Sequence, residues 1–125
     1  MRFIKRDPPR QFEVGNNVKF KMNDCGSLDL EPNEQVTFVT ELGAEYDVAR
    51  KDWGFYATPS LNGRLPQFGL NPVLVRNKIT GRYFVMLVEK GKHNSFKEYV
   101  KEECLEVILW MNDTQELDQF VEGKY

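Results

Sequence analysis

Short β-type runs separated by polar turns occupy most of the first fifty residues, and they limit the folds open to this chain. Apolar residues alternate with lysines over residues 18–22 and with acidic residues over 28–31. Each pattern predicts a half-buried strand. Residues 35–42 and 46–50 continue the β-type pattern beyond a Pro-Asn turn. Close spacing of this kind favours antiparallel strands, arranged as a meander, roll or small barrel.

The second half of the chain adds strands and helices. Residues 72–76 predict a strand, and residues 83–89, YFVMLVE, are apolar on both faces, which predicts a buried central strand. Ser95 and Glu98 match a capping box, so we expect one helix near residues 95–104. Residues 105–111 are rich in β-branched residues and return to the sheet. Asp113 is placed to cap a short C-terminal helix. The fold class predicted is therefore α+β, mainly antiparallel β.

A length of 125 residues is typical of one domain, and we expect a single domain over residues 1–125. Four basic residues surround Pro8-Pro9 in residues 1–10, which predicts an extended basic arm, either docked or poorly ordered. Residues 113–125 are expected to form the short helix and a frayed tail. Asn62-Gly63 is a hairpin signal, but Pro59 and Pro66 flank it, so we expect short edge pairing or an ordered loop.

Charge is unevenly distributed, although the net charge is only −2. Residues 45–93 carry eight basic and four acidic groups, and residues 94–125 carry three basic and eight acidic groups. One interpretation is that these regions pair, within a protomer or between two copies. The other is an anion-binding middle. A net negative charge does not favour nucleic acid as a partner.

Several classes of chemistry lack their motifs. His93 is the sole histidine, and Cys25 and Cys104 are far apart without a CxxC spacing, so no metal site is expected. The chain has no phosphate-binding glycine loop and no G-x-S-x-G elbow, so no cofactor is expected either. Free thiols and the absence of a signal-like or membrane-spanning apolar stretch predict a cytoplasmic protein with no membrane partner.

The aromatic and basic stretch from Arg50 to Arg64 is the candidate ligand-binding region. Its cations could clamp an anion, its rings could stack on a sugar or base, and its hydroxyl and amide could bind hydroxyl groups. Asp47 or Asp52 would act as a general base if burial raised its pKa. The predicted ligand-binding side chains are Arg50, Lys51, Trp53, Tyr56, Ser60, Asn62 and Arg64. The opposing interpretation assigns Trp53, Phe55 and Phe68 to the core.

The segment DVARKDWGFYATPSLNGRL, followed by GRYFVMLVEKGK, resembles small uncharacterised bacterial proteins associated with surface-polysaccharide gene neighbourhoods. The resemblance spans roughly residues 3–103. It implies a cytoplasmic accessory role near sugar-nucleotide or glycan chemistry, and no catalytic residues can be carried over from it to this chain.

Two functions follow as hypotheses. The first is an accessory or interaction module without its own catalysis, acting as a homodimer, since opposed charges suit a two-fold contact. The alternative is a small-molecule binder or enzyme that acts on a nucleotide sugar or another anionic ligand through the 50–64 region. Whether the chain is an enzyme stays open at this point.

Overall fold

The structure, a computed structural model, describes residues 1–123 and arranges them as three antiparallel sheets and three helices. The elements in chain order are β1 (Arg2–Val14), β2 (Phe20–Asp29), β3 (Gln35–Val39), β4 (Glu45–Lys51), β5 (Gly54–Ala57), α1 (Arg64–Gln67), β6 (Leu70–Asn77), β7 (Tyr83–Glu89), α2 (His93–Glu102), β8 (Leu105–Trp110) and α3 (Thr114–Val121). The predicted α+β class is confirmed, and the sheets do not close into a barrel.

We call the hairpin β1–β2 the ribbon, the sheet β3-β4-β5 the small sheet, and the sheet β7-β6-β8 the central sheet. The predicted arm of residues 1–10 is extended, and about half of it, Arg2 to Lys5 and Arg10, is paired with β2. The frayed tail predicted at the C-terminus includes Lys124 and Tyr125, which lie outside the described residues.

The central sheet holds the main core. Val73 and Val75 on β6 are fully buried, and they cluster with Val88 and Leu105. Helix α2 covers this face of the sheet through Phe96 and Val100, which pack against the cluster. Burial of these side chains supplies much of the favourable free energy of folding, because apolar area removed from water contributes about 25 cal/mol per Å².

The prediction that residues 83–89 form the central strand is wrong. β6 is central, and β7 lies at the sheet edge, because β8 returns after α2 to pair with the other side of β6. Tyr83 is 59% exposed and Val85 62% exposed. An apolar run thus marks a strand of this sheet without giving its position.

A second, smaller core joins the small sheet to the central sheet. Leu65 on α1 is 1% exposed and packs with Ala44 and Leu70. Asn62-Gly63 leads into α1 and makes no hairpin, in keeping with the ordered loop expected there. Pro66 falls in the first turn of α1, where its missing N–H removes no helical hydrogen bond.

The ribbon has no buried residue in either strand. The strand predicted at residues 18–22 is confirmed from Phe20 onward, but its expected burial is wrong, since Phe20 and Met22 are 38% and 47% exposed. Residues 20–29 also form one continuous strand instead of two. Alternation gives β2 one apolar face. At the ribbon tip that face meets α2, where the Phe20 and Tyr99 ring centres lie 6.5 Å apart, and the rest of it stays exposed.

Helix boundaries differ from the capping prediction at α2 and agree with it at α3. Helix α2 begins at His93 after Lys92, so Ser95 lies inside the helix and the capping box does not form. Asp113 accepts hydrogen bonds from the backbone N–H groups of Gln115 and Glu116, which confirms it as the N-cap of α3. None of the helices within residues 1–123 has the length and apolarity needed to cross a bilayer.

Candidate functional site

The distal half of the ribbon is amphipathic. Phe12 pairs directly with Met22, and Val14 pairs with Phe20, so these four side chains lie on one side of the hairpin. We call them the ribbon face. Phe12 and Val14 are each 40% exposed. The guanidinium of Arg10 lies 5.1 Å from the centre of the Phe12 ring, so the face ends in a charged residue.

The residue pairs that alternate with these point to the opposite side of the hairpin, which is polar. Gln11 pairs with Asn23, and the Gln11 Nε2 donates to Asn23 Oδ1 at 3.0 Å. Glu13 pairs with Lys21 on the next polar rung. The distal half of the ribbon therefore has one apolar side and one side that is charged or amide-bearing.

Hydrogen bonds hold the ribbon to the rest of the chain at its two ends. At the tip, the backbone N–H of Asn16 donates to Glu103 Oε2 at 2.7 Å, and Asn17 Nδ2 donates to the Glu102 carbonyl at 2.9 Å. At the base, the Met1 amino group donates to Glu34 Oε2 at 3.0 Å. The strands between these ends are held mainly by each other.

An ion-pair cluster stiffens the middle of the ribbon, where the register shifts between Lys5 and Arg10. Asp24 lies 2.7 Å from Arg6 Nη1 and 3.2 Å from Arg10 Nη2. Desolvation acts to raise the pKa of Asp24, but the hydrogen bond from the Gly26 N–H and the two guanidinium groups outweigh it. The pKa therefore lies below its usual value.

Both other sheets also leave apolar side chains in solvent. Val85 and Leu74 pair on the face of the central sheet away from α2, and Tyr83 follows on the same face. On the small sheet, Phe38 is 53% exposed and Phe55 63% exposed. Phe38 pairs with Tyr46, and Phe55 pairs with Arg50. Tyr46 and Arg50 are four residues apart on β4, so they lie on the same side of the sheet, and the two rings share that side.

The exposed area of the whole protomer is large for its mass. Its solvent-accessible surface is 8995 Å² for 14.6 kDa. Folded monomers of this mass expose about 6,900 Å². The chain therefore presents roughly 2,100 Å² beyond the expectation for a compact monomer.

The predicted ligand-binding residues of strands β4 and β5 do not share one face. Arg50 pairs with Phe55 on one side of the small sheet, whereas Tyr56 pairs with Ala49 on the other side. Arg50 Nη1 is buried without a hydrogen-bond partner among the described residues. Lys51 Nζ instead donates to Asn33 Oδ1 at 3.0 Å.

The remaining loop residues of the set are held within the chain. Ser60 Oγ accepts from the backbone N–H of Arg64 at 2.9 Å, and Asn62 Nδ2 donates to Thr114 Oγ1 at 3.2 Å. The Arg64 guanidinium lies 3.4 Å from Asp47 Oδ2.

Trp53 is 73% exposed, in the turn between β4 and β5, so the interpretation of Trp53 and Phe55 as core residues is wrong. Ligand binding by the seven-residue set stays a prediction. The structure brings Arg64 to Asp47 on the Tyr56 side of the small sheet and places Arg50 on the other side.

A cavity of about 420 Å³ opens where the ribbon tip meets the central sheet and α2. Its volume lies within the range of small-molecule pockets. Gly15 and Asn16 come from the ribbon tip, Phe84 and Met86 from β7, and Tyr99 from α2. The other lining residues are Asn77, Ile79, Thr80, Glu103 and Leu105. Three separate parts of the fold thus form its walls.

Glu103 is the charged group of that lining and is only 8% exposed. Its Oε2 accepts the Asn16 N–H, while its Oε1 has no hydrogen bond within residues 1–123. Sequence reasoning did not select Glu103, although an acidic residue on the otherwise apolar helical pattern of Phe96, Tyr99 and Val100 was a visible signal.

No cluster of three or more His, Cys, Asp or Glu side chains suited to a metal ion occurs within residues 1–123. No protein-family model, curated protein sequence or solved structure matches the chain. The resemblance to proteins of polysaccharide gene neighbourhoods therefore stays an expectation from sequence.

Proposed function

We propose that this chain is an interaction module that forms a homodimer through its ribbon face, and that its role is accessory and non-catalytic. The observation that carries the proposal is a 13-residue strand paired with a 10-residue strand, with no residue buried in either. An isolated two-stranded hairpin is marginally stable in water. A partner surface over the ribbon face supplies the missing layer.

A second copy fits the amount of surface left open. Covering roughly 2,100 Å² on each of two protomers would bury about 4,000 Å² in total, which falls within the range of obligate homodimers. A two-fold axis would let each ribbon pack on the other copy. The exposed faces of the central and small sheets offer apolar surface to receive it.

Charge supports the same partner. Residues 45–93 are net positive and residues 94–125 are net negative, so a two-fold contact can bring unlike regions together twice. The alternative of an anion-binding pocket in the 50–64 region ranks second, because its cations lie on different sides of the small sheet. We keep a cytoplasmic location as part of the proposal.

A paired set of double variants tests the dimer. Phe12→Ser with Met22→Ser changes one directly paired rung of the ribbon face, while Gln11→Ser with Asn23→Ser changes the adjacent polar rung. We expect the first to weaken self-association about 100-fold or more, since buried apolar anchors dominate interface energies. The polar-rung variant should stay within about threefold of the wild type.

Sedimentation velocity over a dilution series measures both variants, and amide spectra of the central sheet check that each is folded. Self-association of the Phe12/Met22 variant at wild-type strength would rule out the ribbon face as the contact. Equal weakening by both double variants would instead indicate a general effect on the ribbon and would also contradict the proposal.

A further inference from the structure

We infer that the cavity between the ribbon tip, β7 and α2 binds a small organic cation that carries N–H donors, such as a primary ammonium or guanidinium group. The inference concerns a ligand and is independent of dimer formation. It starts from Glu103, a residue only 8% exposed, whose carboxylate lies at the wall of a cavity of about 420 Å³.

Glu103 has no cation of its own. Within residues 1–123 no Lys, Arg or His nitrogen lies within ion-pair distance of its carboxylate. Lys19, at the same ribbon tip, directs its Nζ to the Gly15 carbonyl at 2.8 Å. A carboxylate at a cavity wall that lacks a counter-charge attracts a cationic group, and this attraction strengthens where the surroundings hold less water.

The two oxygens of Glu103 have different roles. Oε2 receives the backbone N–H of Asn16, which fixes the carboxylate against the ribbon tip. Oε1 lies near Gly15, where an added Cβ would approach it to 3.2 Å, and it keeps its lone pairs open. An ammonium or guanidinium N–H can donate to Oε1 without disturbing the Asn16 contact.

The rest of the lining suits the hydrocarbon part of such a ligand. Phe84 and Tyr99 present aromatic rings, and Met86 and Leu105 present apolar surface. Aromatic faces attract cations, and this attraction strengthens where water is excluded. Asn77 Oδ1 is already bound to the N–H groups of Ile79 and Thr80, so the turn on that side is held in place before a ligand arrives.

A charged probe and a neutral probe of similar shape test the site. n-Butylammonium and 1-butanol are titrated separately into the full chain, with amide chemical shifts of Asn16, Thr80 and Tyr99 as the readout. We expect saturable shifts with butylammonium and at least about tenfold weaker binding of the alcohol, because a charge-assisted hydrogen bond is lost. Equal affinity for the two probes, or no saturable shift with butylammonium, would overturn the inference.

Glu103→Gln sharpens the test, since the amide oxygen can still accept from Asn16 while the negative charge and the open acceptor are removed. We expect butylammonium binding to fall at least about tenfold. Glu98→Gln, one to two turns earlier on α2 and outside this cavity, is the matched control and should bind as the wild type does. Unchanged affinity in Glu103→Gln would overturn the site, and the wild-type titration decides the matter if that variant fails to fold.

Discussion

The ribbon and the central sheet are built from similar sequence patterns and have opposite environments. Val73 and Val75 of the central sheet are fully buried beneath α2, whereas every residue of β1 is exposed. The difference is one of layers: α2 and α1 cover parts of the central sheet, whereas the ribbon face meets α2 at its tip, through Phe20 and Tyr99, and stays largely exposed. Alternation in a strand therefore specifies an apolar side, and the location of its covering layer depends on distant parts of the chain or on another chain.

The largest expected difference between the two regions is in folding energy. Leu70→Ala, at a position 7% exposed in β6, should lower the free energy of unfolding by about 2–5 kcal/mol. Leu28→Ala, at a position 38% exposed in β2, should lower it by about 0.5 kcal/mol.

Urea unfolding measures both substitutions in the Phe12→Ser/Met22→Ser variant. Self-association is expected to be weak there, so the free energies of unfolding compare folded protomers without a dimer contribution. Comparable losses at the two leucines would remove the distinction between a packed sheet and an unpacked ribbon.

Hydrogen exchange compares the same regions without substitution. In dilute protein, amides of β1 and β2 should exchange through local opening and be less protected than those of Val73 and Val75. Raising the protein concentration should slow exchange in the ribbon more than in β6, since the proposed second copy would cover the ribbon. Ribbon protection that matches β6 and does not change with concentration would show that the ribbon is stable by itself.

A smaller effect is expected from acid at the middle of the ribbon. The folded-state pKa of Asp24 lies below its ordinary value of 3.8, so its ion pairs contribute stability that is fully present above that value. The contribution is lost as pH falls below 3.8 through the lowered folded-state pKa. Ribbon amides should therefore lose protection over that acid range.

Asp24→Asn is the control for this titration, because it cannot ionise and should show no such loss. A wild-type ribbon whose protection follows the same pH profile as Asp24→Asn would contradict the assigned role of the cluster with Arg6 and Arg10.

Local signals predicted much of the fold. The strand predicted at residues 105–111, the turn after Glu31 and the N-cap at Asp113 all follow from neighbouring residues. The turn and the N-cap are confirmed, and the strand is confirmed as Leu105–Trp110. The start of α2 was missed because Ser95 and Glu98 match a cap locally, while the helix extends two residues further back to His93. Short-range chemistry alone decides such features only when no tertiary contact competes.

Position within a sheet was not predictable in this way. The run at residues 83–89 has the composition of a central strand, but the pairing of β8 with β6 makes β7 an edge. Trp53 likewise has the size of a core residue and lies in an exposed turn. The cavity at Glu103 combines the ribbon tip, β7 and α2, and sequence proximity does not connect these elements.

The mass of the wild-type protein in solution tests the central claim most directly. Sedimentation equilibrium from about 1 µM to 1 mM covers the affinities expected of an interface of this size. We predict a species of twice the 14.6 kDa protomer mass that dominates at the upper end of the range and dissociates when the ribbon face is changed. A single 14.6 kDa species up to 1 mM would contradict the account, because the ribbon face would then remain uncovered.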